Sequence, residues 1–418
     1  MRNCFKAKFT LPWEDPVKAA VIGSLDIECM GGGEANTVMF SNMLARMGYD
    51  VTYFGSGCTG DGNHRDPEEK MLFSYKRSAF RHDPMAHPYL LKTTRLLSLG
   101  LIGLFSYKKT RRMLEGFDIY YFANPTLLSR KLIPELQGKD KKIILANHGT
   151  FFEYLGNSSL RIMRTVGLIA GKFLLEPLKN YDNIVIHTQN SFQTEYYKKN
   201  GFDCKNIVEI PQHNINFRDY RIDQKEEGFS VAFLGRLTES KGIDMLIDVA
   251  NMNPEMVFHV MGRGPMRHEI MSGNKHNNMV LHGFVTDEEK RNILSSCDAM
   301  IVPSVFESLS IASIEGLACG LPLVASDTAQ GLRYIISRDS IFGKVLPRNA
   351  NFFSGELERL RKRKGTMFDE YILERKIRRE SAMTIFDEKE IFNKLVKLAQ
   401  YNLNLEKYNE VKEISLTN

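Results

Sequence analysis

The sequence predicts an α/β protein with two doubly wound, Rossmann-like domains that face a cleft. Short apolar runs alternate with helical patterns along the chain, which is typical of a parallel sheet covered by helices. The same alternation starts again near the middle of the sequence. In addition, a chain of 418 residues exceeds the size at which one hydrophobic core keeps growing, so two domains are expected.

The first half opens with an apolar run, a glycine-rich turn and a helical pattern. The apolar run is residues 17–23 (VKAAVIG), and residues 50–55 (DVTYFG) form the next one after the helical pattern. This order predicts a strand, a turn, a helix and a second strand. Apolar runs at residues 118–124, 142–149 and 183–189 predict further buried strands.

The same order begins again at residues 229–235 (FSVAFLG), after a charged, glycine-containing stretch that is typical of an interdomain linker. The sequence therefore predicts a first domain over residues 1–218 and a second over residues 219–385. Long charged helical patterns follow. They predict a helical segment over residues 386–418 that crosses back to the first domain or covers it.

Composition indicates a folded protein that is not embedded in a membrane. Hydrophobic residues make up 43% and charged residues 25% of the chain, which argues against disorder and against a polytopic membrane protein. The first residues lack the apolar core of a secretory signal. The longest apolar run, residues 96–105, has about half of the roughly 20 residues that a transmembrane helix needs. We therefore expect a cytoplasmic protein.

Three glycines form the first candidate site. Gly31, Gly32 and Gly33 lie between a predicted strand and a predicted helix, where glycine lets the backbone approach a ligand and the helix N-terminus favours an anion. A phosphate or a phosphate-linked sugar would fit there, and a plain tight turn explains the glycines equally well. The acidic Glu34 argues against a pyrophosphate directly on this helix end.

The second candidate is the stretch GRLTESKG from Gly235 to Gly242. It follows a predicted strand, at the edge where open parallel sheets bind ligands. Arg236 can hold two phosphate oxygens in its planar fork, and Lys241 offers a mobile point charge to the same group. Together they could stabilise a departing diphosphate, although each could also be a solvated loop cation.

Two glutamates form the third candidate. Glu307 lies in a predicted loop and Glu315 in the helix that follows it, with seven residues between them. A carboxylate at Glu315 could accept hydrogen bonds from the vicinal hydroxyls of a ribose, as acidic residues do in dinucleotide sites. Glu307, beside the N-terminus of the helix, could contact sugar hydroxyls. Both side chains could therefore face one pocket.

Taken in order, these motifs resemble those of the GT4 family, the group 1 retaining glycosyltransferases. The motifs are GGG at 31–33, HG at 148–149, GRLTESKG at 235–242, MGRGP at 261–265, HGFV at 282–285 and FESLSIASIEGLACGLPLVAS at 306–326. The match runs through both halves of the chain, and this order and spacing is highly specific. The resemblance implies the GT-B fold, with the acceptor bound by the first domain and the donor by the second.

The resemblance also implies the reaction and the residues that carry it. A hexose-type sugar would move from a UDP- or GDP-sugar to a glycan, glycolipid or lipid-linked acceptor, with retention of the anomeric configuration. Arg236 and Lys241 match the basic pair that binds the donor diphosphate. Glu307 matches the donor-sugar carboxylate, and His148 the histidine near the sugar C6 hydroxyl and the reacting centre. Positioned cations can stabilise the leaving diphosphate, and the absence of an Asp-x-Asp pair from the sequence predicts transfer without a metal.

Further residues match the positions that hold the donor. Glu315 matches the ribose carboxylate, whereas Gly264 and Val285 match positions that line the nucleotide base pocket. The full predicted donor set is Gly32, Gly33, Gly235, Gly264, Val285, Ser308, Leu309, Ser310 and Glu315. The chain departs from the family at Ser310, where the family usually has a glycine whose backbone approaches the sugar. This departure leaves the identity of the donor sugar open.

Two segments of the first half combine apolar and basic residues, namely residues 92–112 and 161–179. Such an element could lie on an anionic membrane surface, or it could be an ordinary helix with a solvated basic face. Our hypothesis is peripheral association with the cytoplasmic face of a membrane, and an ordinary helix explains the two segments equally well. Nucleic-acid binding is not expected, because the basic residues are not interleaved with aromatic ones.

Two other functions remain open from the sequence alone. A sugar-nucleotide 2-epimerase also uses a two-domain cleft of the GT-B type, although the basic loop together with the two glutamates argues against it. A non-catalytic sugar-nucleotide-binding protein is the other alternative, and the altered stretch from Ser308 to Ser310 is the observation that favours it.

Overall fold

The computed structural model describes residues 17–23, 32–55, 74–77, 107, 110–136, 141–149, 161–181, 183–213, 215–223, 226–386 and 388–401. These residues form two compact units. The first contains the described residues up to Gln212 and those from Phe392 onward, and the second contains His213–Ile391. The boundary lies after Gln212, whereas the sequence placed it after residue 218.

The first unit is built on seven strands and the helices between them. The strands are β1 (Lys18–Ile22), β2 (Asp50–Gly55), β3 (Ser74–Arg77), β4 (Ile119–Phe122), β5 (Lys142–Asn147), β6 (Ile184–Thr188) and β7 (Ile207–Glu209). The helices are α1 (Gly32–Arg46), α2 (Leu127–Leu136), α3 (Arg161–Leu175) and α4 (Ser191–Lys199). Neighbouring strands run parallel in the order β3-β2-β1-β4-β5-β6-β7.

The second unit repeats this arrangement with six strands. They are β8 (Ser230–Leu234), β9 (Val257–Met261), β10 (Met279–Gly283), β11 (Ala299–Val302), β12 (Leu323–Ser326) and β13 (Gly343–Leu346). Its helices are α5 (Ile243–Met252), α6 (Arg267–Gly273), α7 (Asp287–Ser296), α8 (Ile311–Ala318), α9 (Gln330–Arg338), α10 (Ala350–Thr366) and α11 (Phe368–Ile385). A last helix, α12 (Glu388–Tyr401), contains the point where the chain returns to the first unit.

The two sheets confirm the predicted pair of Rossmann-like domains. The second sheet has the order β10-β9-β8-β11-β12-β13, and all of its neighbouring strands run parallel. This is the 3-2-1-4-5-6 order of a doubly wound fold, so the strand order reverses between β8 and β11. In the first sheet the reversal lies between β1 and β4. At such reversals a crevice opens at the carboxyl ends of the strands.

The apolar runs of the sequence form the central strands because helices cover both faces of a parallel sheet. All four residues of β4 (IYYF) and of β11 (AMIV) are buried. Each unit has its own hydrophobic core, which includes Tyr120 and Ile143 in the first and Phe258 and Ile301 in the second. The strands therefore form the centre of each unit.

A contact with α11 explains why the boundary precedes the predicted one. Arg379 Nη2 donates hydrogen bonds to the backbone oxygens of Phe217 (2.6 Å) and Tyr220 (2.8 Å). The side chains of Phe217 and Tyr220 are buried as well, with 3% and 7% of their surface exposed. The segment that the sequence assigned in part to the first domain is thus held by a helix of the second.

Gly262 permits a close backbone approach that the second unit requires. Its φ is +143°, and a Cβ there would lie 1.9 Å from the backbone oxygen of Gly235. We expect Gly262→Ala to lower the free energy of unfolding by at least about 3 kcal/mol, because a strained backbone and overpacking add together. Urea denaturation measures this loss.

Gly355→Ala is the matched control. Gly355 is exposed within α10, and a Cβ there would meet nothing within 4 Å. This substitution should raise stability by about 0.5–1 kcal/mol, because alanine loses less conformational entropy in a helix than glycine does. Equal effects of the two substitutions would contradict the role assigned to Gly262.

Candidate active site

Two loops meet at the strand-order reversal of the second unit. The first, Gly235–Gly242, follows β8, and the second, Pro303–Ser310, follows β11. The backbone N–H of Val305 donates to the backbone oxygen of Ser240 at 2.9 Å. Gly242, with φ +74°, approaches so closely that a Cβ there would lie 2.2 Å from the oxygen of Pro303. The loops are therefore held together by their backbones.

This contact brings together two residues that the sequence singled out. Lys241 Nζ lies 2.6 Å from Glu307 Oε1, and Ser304 Oγ donates to the same oxygen at 2.9 Å. The two charged side chains are 23% and 13% exposed. They therefore form a partly accessible ion pair at the edge of the sheet where ligands bind.

The position of Glu307 is also set through its backbone. The N–H of Gly331, in the first turn of α9, donates to the oxygen of Glu307 at 2.8 Å. Arg236, on the same loop as Lys241, is exposed. The loop thus presents one exposed cation and one cation already paired with a carboxylate.

Glu315, the second candidate carboxylate, forms an ion pair with a different lysine. It is buried in α8 with 6% of its surface exposed. Its Oε1 atom is 2.6 Å from Lys290 Nζ of α7 and accepts a hydrogen bond from Tyr220 Oη at 3.0 Å. Burial disfavours the charged form of Lys290, but the nearby carboxylates of Glu315 and Asp287 outweigh it, so the pKa of Lys290 is raised.

At Ser310, where the sequence departs from the family pattern, the backbone has a conformation that glycine adopts most readily. Ser310 is the N-cap of α8 and has φ 65° and ψ 76°, a left-handed conformation that costs a residue with a side chain roughly 1–2 kcal/mol. Its Oγ lies 2.7 Å from Ser313 Oγ. Leu309 is buried, and Ser308 packs so closely on Gly331 that a Cβ on Gly331 would lie 2.6 Å from the Ser308 carbonyl carbon.

The two residues predicted to line the base pocket lie beyond β9 and β10. Gly264 packs against the first loop, where a Cβ would lie 2.4 Å from the oxygen of Leu237. Val285 is partly buried and immediately precedes Thr286, the N-cap of α7, which forms a capping box with Glu289. The residues that precede these two positions contact each other, since the guanidinium of Arg263 lies 5.5 Å from the ring centre of Phe284.

The first unit places His148 directly after β5. Its Nε2 atom is 2.7 Å from Tyr121 Oη, and its Nδ1 atom is 3.0 Å from Gln189 Nε2. Burial and, secondarily, the neighbouring His187 lower the pKa of His148 to about 3. Gly32 and Gly33 begin α1, whereas Gly31 lies outside the described residues. So does most of the basic segment 92–112, of which residues 107 and 110–112 are described.

Sequence reasoning missed several polar residues of these sites. Each of them reaches its site through a contact with a residue elsewhere in the fold, and no local sequence motif indicates it. These residues are Tyr121, Gln189, Gln212, Tyr220, Lys290 and Ser304. Lys290 sits in a charged helical stretch (DEEKRN), where a solvated lysine is the ordinary expectation. In the described part of the chain, no cluster of three or more His, Cys, Asp or Glu residues could hold a metal ion.

Comparison with known proteins shows to which class of protein the chain belongs. The family model for glycosyl transferases group 1 matches residues 216–362. An uncharacterised glycosyltransferase of Methanocaldococcus jannaschii is 31% identical over 387 residues, which cover 86% of this chain and 90% of the relative. The fold and the loops at its strand reversal define a GT-B protein. The chain belongs to the group 1 family of glycosyltransferases, and its activity is that of a glycosyltransferase.

Solved structures agree on the fold. Sucrose-phosphate synthase from Thermosynechococcus elongatus matches with a TM-score of 0.70 and 18% identity, over 93% of this chain and 99% of the synthase. The Anabaena protein HepE, solved in complex with UDP and glucose, matches with a TM-score of 0.67 and 14% identity, over 92% of this chain and 100% of HepE. At such identities the likeness extends to the fold alone.

The Lys290–Glu315 pair makes a prediction about stability. We expect Lys290→Met to lower the free energy of unfolding by about 3–5 kcal/mol, because it leaves a buried carboxylate without its cation. Adding Glu315→Gln should restore part of this loss, since the remaining side chain is neutral. Urea denaturation of the single and double variants measures both effects.

Lys362→Met provides the control in the same unit. Its ion pair with Glu358 is 3.5 Å long, and the lysine side chain is 71% exposed, so the cost should stay below about 1 kcal/mol. If Lys290→Met proved as mild as this surface change, the buried pair would not hold Glu315 in place.

Proposed function

We propose that this glycosyltransferase moves a hexose-type sugar from a UDP- or GDP-sugar to a glycan, glycolipid or lipid-linked acceptor, with retention of configuration. The observation that carries the proposal is the pairing of Lys241 with Glu307 at the strand-order reversal, beside the exposed Arg236. One loop thus carries cations for a diphosphate, and the next carries a carboxylate for sugar hydroxyls. The binding of UDP and glucose by HepE supports such a donor.

The ion pair between Lys241 and Glu307 would rearrange when the donor binds. A bound diphosphate would compete with Glu307 for the ammonium of Lys241. Its arrival would free Glu307 Oε1 to accept hydrogen bonds from the sugar, since Ser304 would still hold that carboxylate in place. As the glycosidic bond breaks, Arg236 and Lys241 would stabilise the negative charge that grows on the leaving diphosphate. Because these two residues supply the positive charge, we propose that transfer requires no metal.

Glu315 would bind the ribose of the donor. Lys290 and Tyr220 both contact its Oε1 atom, and a carboxylate has about four lone-pair sites. Acceptor capacity therefore remains for ribose hydroxyls. Gly264 and Val285 would line the base pocket, and Gly32 and Gly33 would approach the distal phosphate or the sugar, as the family pattern implies.

The diphosphate role predicts a large loss of turnover in two variants. We expect Arg236→Ala and Lys241→Ala each to lower kcat by roughly 10² to 10³, the usual effect of losing one preorganised electrostatic contact. Release of nucleoside diphosphate from UDP-, GDP- and ADP-sugars, with a lipid extract as acceptor, measures this.

Lys275→Ala is the control, because Lys275 is an exposed lysine of the same unit. It should leave kcat unchanged. Near-wild-type turnover of both loop variants would refute the diphosphate role. Nucleotide binding without any transfer by the wild-type protein would instead favour a non-catalytic sugar-nucleotide-binding protein.

We further propose that the first unit contacts an anionic membrane surface through α3, from the cytoplasmic side. No helix among the residues described is long and apolar enough to cross a membrane. Helix α3 nevertheless exposes Leu168, Ile169 and Phe173, with 60%, 64% and 49% of their surface accessible. Beside them, Arg130 lies 4.1 Å from the ring centre of Phe173. Exposed apolar groups among cations favour an anionic lipid surface.

Vesicle binding tests this surface. We expect Ile169→Glu to weaken binding to anionic vesicles at least about 10-fold, because one buried aliphatic side chain contributes roughly 1.5–3 kcal/mol. The control is Leu373→Glu, since Leu373 is 55% exposed on α11 of the other unit. Sedimentation with vesicles of phosphatidylglycerol and phosphatidylcholine at low and high salt gives the readout. Wild-type binding that is equal to neutral and anionic vesicles would overturn the proposal.

A further inference from the structure

The environment of His148 is a closed ring of hydrogen bonds. Its members lie at the carboxyl edge of the first sheet, after or at the ends of β4, β5, β6 and β7: they are Tyr121, His148, Gln189 and Gln212. Tyr121, Gln189 and Gln212 expose no more than 1% of their surface. Such a network contains no formal charge, and every donor in it must face an acceptor.

Backbone groups determine the direction of each bond in the ring. The N–H of Gln212 can only donate, and it lies 2.9 Å from Gln189 Oε1. The side-chain nitrogen of Gln189 must therefore face His148, where it donates to Nδ1 over 3.0 Å. At the other side, the carbonyl of Asn36 can only accept, and it lies 2.6 Å from Gln212 Nε2.

The remaining two bonds follow from these. Because Gln212 Nε2 faces Asn36, its Oε1 atom faces Tyr121 and accepts the tyrosine hydroxyl at 3.3 Å. The oxygen of Tyr121 is then left to accept from His148 Nε2 at 2.7 Å. The proton of a neutral His148 thus belongs on Nε2, and Nδ1 is an acceptor.

We propose that Gln189 is a positioning residue that holds His148 as a neutral imidazole with its proton on Nε2. An imidazolium would carry a second N–H at Nδ1, directed against the N–H of Gln189. Rotation of the Gln189 amide would not relieve this contact without cost. It would direct the side-chain nitrogen at the N–H of Gln212, which would then lose its acceptor. A buried donor left without its acceptor costs roughly 1–3 kcal/mol.

The surroundings oppose a charge on His148 for independent reasons. Burial lowers the pKa of His148 to about 3, with a smaller contribution from His187. His148 is itself partly buried, whereas His187, whose ring centre lies 5.9 Å from that of His148, is fully buried, and its own pKa is lowered to about 4. Tyr121, whose hydroxyl lies 2.7 Å from His148 Nε2, stays neutral because burial raises its pKa.

The backbone of Gln189 is held as firmly as its side chain. Its N–H donates to Gln193 Oε1 at 2.8 Å. The N–H of Gln193 in turn donates to Asn190 Oδ1, the N-cap of α4, at 2.9 Å. The start of α4 therefore anchors the residue that orients His148.

For its consequence in catalysis, this inference rests on the proposed function and on the place near the reacting centre that the family pattern implies for His148. Positive charge develops on the sugar as its bond to the leaving group breaks. An imidazolium near the reacting centre would raise the energy of that state, whereas a neutral ring would not. His148 therefore contributes a neutral polar ring, and it takes up no proton at Nδ1 during transfer.

The protonation state can be observed without any substrate. Nuclear magnetic resonance of the full chain labelled with ¹⁵N-histidine distinguishes the two neutral tautomers and the imidazolium. We expect the His148 signals, assigned by their loss in His148→Phe, to show the Nε2–H tautomer without titration between about pH 5 and 8, whereas an unperturbed histidine titrates near 6.5. An Nδ1–H tautomer, or titration within this range, would overturn the proposal.

Gln189→Glu supplies the second test. A carboxylate at this position favours a proton on Nδ1, so an imidazolium signal should appear below about pH 7. The kcat of the variant should fall roughly 10-fold or more between pH 8 and pH 6, with the donor KM changed less than about 3-fold. Lys199→Gln is the matched control, because it changes the net charge equally at an exposed position of α4, and its spectrum and pH profile should match those of the wild type.

The two tests separate this inference from the proposed reaction. If the wild-type tautomer is as expected but no transfer is found with any donor, the positioning role stands and the proposed function fails. If transfer occurs and Gln189→Glu leaves both the His148 spectrum and the pH profile unchanged, the positioning role fails and the reaction stands.

Discussion

The second unit depends on one constraint, the reversal of strand order between β8 and β11. At such a reversal the connections after the two strands lead to opposite faces of the sheet, so a crevice is left at their carboxyl ends. Here the hydrogen bond from Val305 to Ser240 and the close approach of Gly242 to Pro303 hold the two loops against each other. The contact between Lys241 and Glu307 is a consequence of that backbone arrangement.

Polar side chains at the sheet edge are compensated differently in the two units. In the second unit, each candidate carboxylate is compensated by a lysine: Glu307 by Lys241 and Glu315 by Lys290. In the first unit, the hydrogen bonds that join the four described members of the ring around His148 connect neutral donors and acceptors. Charges suit a site for a diphosphate, and a neutral ring suits a position close to a developing positive charge.

The central strands could be predicted because they are apolar and buried on both faces, as β4 shows. The edge strands β3, β7 and β13 were missed. They are short, and those with described burial, β7 and β13, are only half-buried or exposed, so hydrophobic alternation is weak there. β12 is fully buried, but it lies within the glutamate motif and was interpreted only as part of it. The domain boundary was placed too late because the bonds from Arg379 to Phe217 and Tyr220 span about 160 residues and leave no local signal.

By itself, the sequence determined the fold class, the family and the positions of the candidate charges, because hydrophobic periodicity and motif order are local properties of the chain. Only the tertiary structure decided which groups meet. Lys241 and Glu307 are 66 residues apart, and Tyr121 and Gln212 are 91 apart. Whether a carboxylate is paired, and on which nitrogen a histidine carries its proton, depends on such distant partners. The backbone groups that end the ring's hydrogen-bond network, the N–H of Gln212 and the carbonyl of Asn36, determine the direction of its hydrogen bonds. These groups reach their partners only when the sheet has formed.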